Sequence, residues 1–210
     1  MSVLKDIAEK LYDGDDQVVA ELVQSALDQG VKPAEVLDNG LLAGMDRVGE
    51  DFRDDILFVP AVLVAARAMH AGMDVLRPFL SSGDIKLAGK VMIGTVEGDL
   101  HDIGKNLVAM MLEGNGFEVV DLGTDVSPER FVEAIKKEEP DILGLSALLT
   151  TTMASMKRTV ETLTEAGVRE NVKVIIGGAP VTSDFAQEIG VDGYAPDAGS
   201  ATDLVRKLLS

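Results

Sequence analysis

Up to about Gly83, apolar residues recur every three or four positions, the spacing of amphipathic helices. In the segment from Asp16, residues Val18, Val19, Leu22, Val23, Ala26 and Leu27 form one stripe. Val36, Leu37, Leu41, Met45 and Val48 form a second in the segment from Pro33. Val62, Leu63, Ala66, Met69, Met73 and Leu76 form a third from Pro60. A shorter first helix covers about Ser2 to Tyr12. Pro33 and Pro60 suit a first helical turn, where the missing N–H is not needed. Four such helices with short connections predict a helical bundle.

The pattern changes at Ser81-Ser82-Gly83. Beyond it, short β-type runs alternate with helical ones. Val91 to Ile93, Phe117 to Leu122, Ile142 to Leu145 and Val172 to Ile176 read as strands, with a weak fifth near Tyr194. Helices are predicted from Gly104 to about Asn115, from Ser127-Pro128, from Thr152 to Ala166 and from Ser200 to Leu209. Ser127 as N-cap with Pro128 at the first position is a helix-start signal. Alternating strands and helices imply a doubly wound parallel sheet. Five strands suggest the flavodoxin-like (Rossmann-type) order 2-1-3-4-5. The expected α/β architecture is therefore a four-helix bundle cap over residues 1–83 and an α/β domain over residues 84–210.

The 210 residues carry a net charge of −17, spread evenly: −8 up to residue 83 and −9 beyond it. A nucleic acid would meet repulsion, since it needs clustered Lys and Arg. The acidity reads either as a well-solvated surface or as electrostatic complementarity to partner proteins. The chain has no cysteine, which excludes disulfides, iron–sulfur clusters and thiolate zinc sites. No uninterrupted apolar run approaches a membrane span. The N-terminal segment lacks a signal-peptide core. A cytoplasmic location with no membrane partner is the expectation.

In a doubly wound sheet, ligands bind beyond the strand C-termini at the switch point. There, the loop after strand 1 runs from Gly94 to Asn106 and holds Asp99, His101 and Asp102. The segment after strand 3 runs from Ser146 to Thr152 and holds hydroxyls. A Walker phosphate loop fails, because five residues separate Gly98 from Gly104 and Asn106 follows Lys105; no G-x-G-x-x-G is present either. A lone histidine is more often structural. This one lies in a Gly-rich loop at a ligand edge, where Asp99 can accept its distal ring N–H and fix the tautomer. Zinc wants three or four protein ligands. The chain has two histidines, and His70 lies in the helical segment. A metal needing one protein ligand fits better, and a corrin supplies four equatorial nitrogens itself.

Asp99-x-His101-x-x-Gly104, Ser146-x-Leu148 and Gly177-Gly178 together resemble the signature of cobalamin-binding domains. Val48-Gly49-Glu50-Asp51-Phe52 and Phe58-Val59-Pro60 resemble the helical cap of the methyl-transferring branch, which includes cobalamin-dependent methionine synthase. The resemblance covers about residues 1–205. Length and layout are similar to the free-standing corrinoid methyl-carrier proteins of anaerobic methyltransferase systems, which serve methylamine, methanol, methoxyaromatic or betaine substrates.

That resemblance implies a cobalamin or related corrinoid cofactor held base-off, with His101 as the axial cobalt ligand. It places Asp99, Asp102, Ile103 and Gly104 at the cofactor. It implies a slot for the displaced nucleotide tail lined by Ser146, Thr150, Gly177 and Gly178, with Ala198 at its end. Leu148 belongs to the same signature. Glycine in such a slot would let a bulky ligand approach the backbone. Thr152 matches the serine of a His–Asp–Ser relay. Phe52 and Val59 match cap residues over the methyl face of cobalt, although both also suit ordinary bundle core. The implied role is a methyl shuttle from a substrate-specific methyltransferase to an acceptor methyltransferase that uses tetrahydrofolate or a thiol. A reductive activase would be a third partner. The chain would be a carrier subunit and not a complete enzyme. A B12-dependent mutase subunit would share the α/β domain without needing the cap. A B12-sensing regulator would carry a signalling or DNA-binding domain.

Overall fold

The computed structural model describes residues 2–82 and 87–210, with the main chain alone at residues 80–82. The expected boundary at Gly83 lies outside the described residues. Contacts divide the chain into two units, Met1–Ala88 with Glu113–Gly116, and Gly89–Leu112 with Phe117–Ser210.

The helical unit contains α1 (Val3–Asp13), α2 (Asp16–Asp28), α3 (Pro33–Val36), α4 (Ala43–Arg53) and α5 (Val59–Ser82). Asp15 caps α2 by accepting the Val18 N–H. Between α3 and α4 the helix widens into a π-helical segment, Leu37–Leu42. The segment from Pro33 to Arg53 is thus helical throughout, but with a step in its winding. Gly40 and Gly44 lie on it where α1 comes close: a Cβ on Gly40 would sit 3.2 Å from Ile7 Cγ2, and one on Gly44 3.0 Å from the Ala8 carbonyl. The second stripe, Val36, Leu37, Leu41, Met45 and Val48, is buried in full. The third is not: Val62, Ala66, Met69 and Leu76 are buried, but Leu63 is 41% exposed. With Ile56, Phe58, Val59 and Val64 it forms an exposed apolar surface around the start of α5.

Where the sequence reading expected no membrane span, Val59–Phe79 is long and apolar enough to cross one by composition, with mean hydropathy 1.3. Within this unit the helix behaves as a bundle helix. Val62, Ala65, Ala66, Ala68, Met69 and Leu76 are buried at helical spacing. Arg67 pairs with Asp16 of α2 at 2.8 Å.

The second unit contains β1 (Lys90–Thr95), α6 (Ile103–Gly114), β2 (Glu118–Asp121), α7 (Pro128–Glu138), β3 (Ile142–Ser146) and α8 (Met153–Glu165). After a 3-10 turn at Arg169–Asn171 come β4 (Lys173–Gly177), α9 (Ser183–Ile189), β5 (Gly193–Tyr194) and α10 (Ala198–Leu209). The sheet is five-stranded in the order β2-β1-β3-β4-β5, with all pairs parallel. This is the expected doubly wound topology. Strand alternation divides the core between two faces. Met92, Leu143, Val174 and Ile176 pack with Phe131, Ile135, Met156 and Val160. Val91, Ile142 and Ile175 pack with Leu112, Phe117 and Val205. Helices α7 and α8 therefore cover one face, and α6 and α10 the other.

The register sets the ligand edge. Thr95 of β1 stands opposite Ser146 of β3, and Ser146 opposite Gly177 of β4. The loops that leave these three strand ends emerge side by side at the switch point. α9 has no counterpart in the sequence reading, though Thr182 caps it by accepting the Phe185 N–H and Gly190 ends it at φ 71.

Candidate functional site

Asp99 and His101 follow β1, which ends at Thr95. Gly98, at φ +83, turns the chain and places Asp99 beneath the loop. Asp99 is fully buried. Its Oδ1 accepts the His101 main-chain N–H at 3.0 Å and meets the ring Nδ1 at 2.7 Å. Its Oδ2 reaches across to the loop after β3. There it accepts the N–H groups of Leu148 at 2.8 Å and Leu149 at 3.3 Å, and the Thr152 hydroxyl at 2.7 Å.

Burial on its own would raise the pKa of Asp99. The hydrogen bonds from Thr152, the His101 and Leu148 amides and the His101 ring outweigh it, and hold the carboxyl well below the usual carboxylate range. Asp99 is therefore ionised and accepts only. The Nδ1 facing it is therefore assigned as the N–H donor, which leaves Nε2 as the ring nitrogen that Asp99 does not engage. The His101 side chain is 51% exposed. Its surroundings are apolar and open: Leu100 is 72% exposed, Ile103 78%, Leu148 43% and Leu149 42%. The arrangement presents one imidazole nitrogen beside these exposed apolar side chains. Among the described residues, no three His, Asp or Glu side chains group as a metal site.

The remaining motif residues fall into three places. Asp102, Ile103 and Gly104 lead into α6, where Asp102 Oδ2 accepts from Asn106 at 3.2 Å. Ser146 and Gly177 are register partners at the strand ends, and exposed Thr150 follows on the β3 loop. Ala198 is buried at the start of α10, behind the N-cap Asp197. Phe52 is half-buried and Val59 is 36% exposed, both in the helical unit.

Gly178 has a reason of its own to be glycine. Its φ is 132, and a Cβ there would lie 1.9 Å from the Ala147 carbonyl oxygen. The close approach is backbone to backbone, between the β4 and β3 loops. Gly177 is similar, with a Cβ position 3.0 Å from the Ala195 carbonyl.

Several supporting residues are not among the candidate site residues the sequence offers. Thr95 is fully buried, and its hydroxyl donates to the His101 carbonyl at 2.9 Å. Its signal was faint, because the predicted strand stopped at Ile93. Lys105, only 3% exposed, donates to Asn106 Oδ1 at 2.6 Å and pairs with Asp121 at the end of β2. Glu97 pairs with Arg158 of α8. The amides of Leu148 and Leu149 carry no sequence signal, since every residue type has one.

The B12 binding domain family matches residues 89–202, and a second B12 binding domain family matches residues 3–77. The chain is 46% identical over 208 residues to trimethylamine corrinoid protein 1 of Methanosarcina acetivorans, covering 98% of this chain and 95% of that protein. Among solved structures it is similar to the methanol:cobalamin methyltransferase complex MtaBC from Methanosarcina barkeri. That match has 34% identity and a TM-score of 0.87, and covers 99% of this chain and 79% of that one. It is also similar to a cobalamin-binding protein from Desulfitobacterium hafniense DCB-2, at 35% identity and TM-score 0.81, covering 98% of both chains.

Proposed function

Because the chain belongs to the family of B12-binding corrinoid proteins, and so binds a cobalamin-type cofactor, we propose that it is a methyl carrier with His101 as the lower axial ligand to cobalt. When bound, the corrinoid supplies a cobalt centre that accepts and releases a methyl group. The observation that carries the ligand assignment is the 2.7 Å contact between buried Asp99 and His101 Nδ1. It leaves Nε2 as the one available donor nitrogen, which suits a macrocycle that fills its four equatorial positions itself. The exposed apolar groups of Leu100, Ile103 and Leu148 suit the face of such a ring.

Asp99 orients His101, while Thr152 and the Leu148 and Leu149 amides hold Asp99 ionised. Asp102, Ile103 and Gly104 belong to the same contact set. Ser146, Thr150, Gly177, Gly178 and Ala198 line the slot for the displaced nucleotide tail. Phe52 and Val59 serve the methyl face. The functional domains are residues 1–83 and 84–210. The carrier works in the cytoplasm between a substrate-specific methyltransferase and an acceptor methyltransferase that uses tetrahydrofolate or a thiol, with a reductive activase. It is a subunit and not a complete enzyme. Donor selectivity lies in the partner. The names of its trimethylamine and methanol relatives therefore mark the class of carrier and not this chain's own donor. The match of the helical segment to a B12 binding family supports the carrier over a mutase subunit or a B12-sensing regulator.

The test is the absorption spectrum of protein loaded with methylcobalamin. A base-off spectrum that H101A alters, with light-sensitive loss of the methyl group, is expected. Failure of the wild type to bind corrinoid would overturn the reading, and an unchanged H101A spectrum would remove His101 from it. If no corrinoid-dependent methyltransferase can methylate the loaded, reduced protein, the carrier role falls.

A further inference from the structure

The loop that presents His101 is tied down through its main chain as well as through Asp99. The Gly98 N–H donates to Asp125 Oδ1 at 2.7 Å. The Asp99 N–H donates to the Val96 carbonyl at 3.1 Å, and the Asp99 carbonyl accepts the Asp125 N–H at 3.0 Å. The His101 N–H and carbonyl are taken by Asp99 and Thr95. Asp125 supplies two of these bonds from outside the loop, in the connection between β2 and α7. It grips the chain on both sides of Asp99.

Asp125 makes this grip from an uncommon conformation. Its φ is 54, in the left-handed region that side chains other than Asn and Asp rarely adopt. The surrounding turn holds it there. The Thr95 N–H donates to the Gly123 carbonyl at 2.9 Å and the Val126 N–H to the Thr95 carbonyl at 3.0 Å. The Gly123 N–H donates to Asp121 Oδ1 at 2.8 Å. Backbone strain that the surroundings overdetermine in this way is a pointer to function. The carboxylate of Asp99 is fixed from the β3 side by Leu148, Leu149 and Thr152. Its main chain is fixed from the β2 side by Asp125. With both ends held, the direction of the Asp99 side chain is set, and with it the aim of the His101 ring.

We propose that Asp125 is a positioning residue for the cobalt ligand: a two-point clamp that fixes the main chain around Asp99 and so the orientation of His101. The proposal rests on the reading of His101 as lower ligand. It asks for D125G and D125N, each loaded with cob(II)alamin and examined by electron paramagnetic resonance for the splitting from an axial histidine nitrogen. H101A serves as the control. D125G keeps the left-handed φ without strain but loses the carboxylate. Its histidine-ligated fraction should drop, with corrinoid affinity weaker by roughly tenfold, the scale for groups that orient a ligand. D125N tolerates the same φ and still offers an oxygen to Gly98, so it should keep the wild-type splitting. A role confined to backbone strain predicts the reverse for D125G, because glycine would relieve it.

A cofactor-free arm uses amide hydrogen exchange. Gly98 is exposed, yet its N–H should exchange slowly in the wild type and fast in D125G. Wild-type splitting and affinity retained in D125G would overturn the clamp. So would exchange of the wild-type Gly98 amide at the unprotected rate, even if D125G did not fold. A wild type without nitrogen splitting would overturn the His101 reading first, and this proposal with it.

Discussion

Replacing Asp99 by asparagine keeps the shape of the side chain and removes its charge. It also turns one acceptor oxygen into an NH2 donor. Asp99 serves five donors and is fully buried, so the NH2 has no neutral place to go. Facing the β3 loop, it meets the amides of Leu148 and Leu149. Thr152 alone could adapt, by turning its proton to the Leu149 carbonyl at 2.9 Å. Facing His101, the NH2 orphans the His101 amide and drives the ring proton onto Nε2, where it blocks ligation. Either way a buried donor loses its acceptor and the charge-assisted bonds weaken, about 2–4 kcal/mol together. For an α/β unit of this size that lowers the melting temperature by roughly 6–15 °C. The assay is thermal unfolding of the cofactor-free wild type and D99N from pH 3 to 8. The folded pKa of Asp99 is depressed, so its stabilisation is complete above the unfolded carboxyl value of about 3.9 and fades as pH falls toward the folded one. The gap between the two proteins should be flat from pH 5 to 8 and narrow progressively below about pH 4. A gap under about 0.5 kcal/mol at neutral pH, or one that widens in acid, would refute the reasoning.

Thr95→Val removes a buried hydroxyl from the His101 carbonyl; stability should fall by about 1 kcal/mol, with weaker hydroxocobalamin retention in equilibrium dialysis. Gly178→Ala drives a Cβ to 1.9 Å from the Ala147 oxygen at φ 132; a loss of about 3 kcal/mol or more is expected in denaturant titration. Lys105→Met leaves Asp121 without its cation; it should cost about 1–3 kcal/mol, and a double-mutant cycle with Asp121→Asn should recover part of it.

The elements were legible where local pattern and tertiary packing agree. Ser127-Pro128 announced α7, and the strand-helix alternation led to the observed strand order. α9 escaped because it is only seven residues long, too short to show a helical period. Its Thr182 and Gly190 caps were the readable trace. The π-helical step at Leu37–Leu42 escaped because its apolar stripe looks like that of an α-helix. At the site, the Asp99–His101 pair was readable because both ends of the contact lie within one loop. The partners of Asp99 on the β3 loop are mostly main-chain amides, invisible in side-chain identities. Asp125 was hidden for a similar reason: its role depends on a left-handed φ that an aspartate adopts only when its neighbours enforce it. Glycine at 178 was legible as a requirement, but its cause is the neighbouring carbonyl.

The topology explains why one carboxylate can govern the histidine. β1 and β3 are neighbours at the point where the strand order reverses, so loops far apart in sequence leave the sheet together. Asp99 bridges them, with one oxygen in each. On the β3 side, two of its three donors are backbone N–H groups that cannot turn away. Only Thr152 has a choice, since its single proton serves either Asp99 Oδ2 at 2.7 Å or the Leu149 carbonyl at 2.9 Å. Even when that proton turns away, four donors remain on the carboxylate. Asp99 therefore stays ionised through the neutral range and Nδ1 stays the donor, so Nε2 is the ring nitrogen that Asp99 leaves unengaged. The proposed ligand role of His101 thus depends on the meeting of two loops, and a change that separates the loops should cost ligation before it costs the fold.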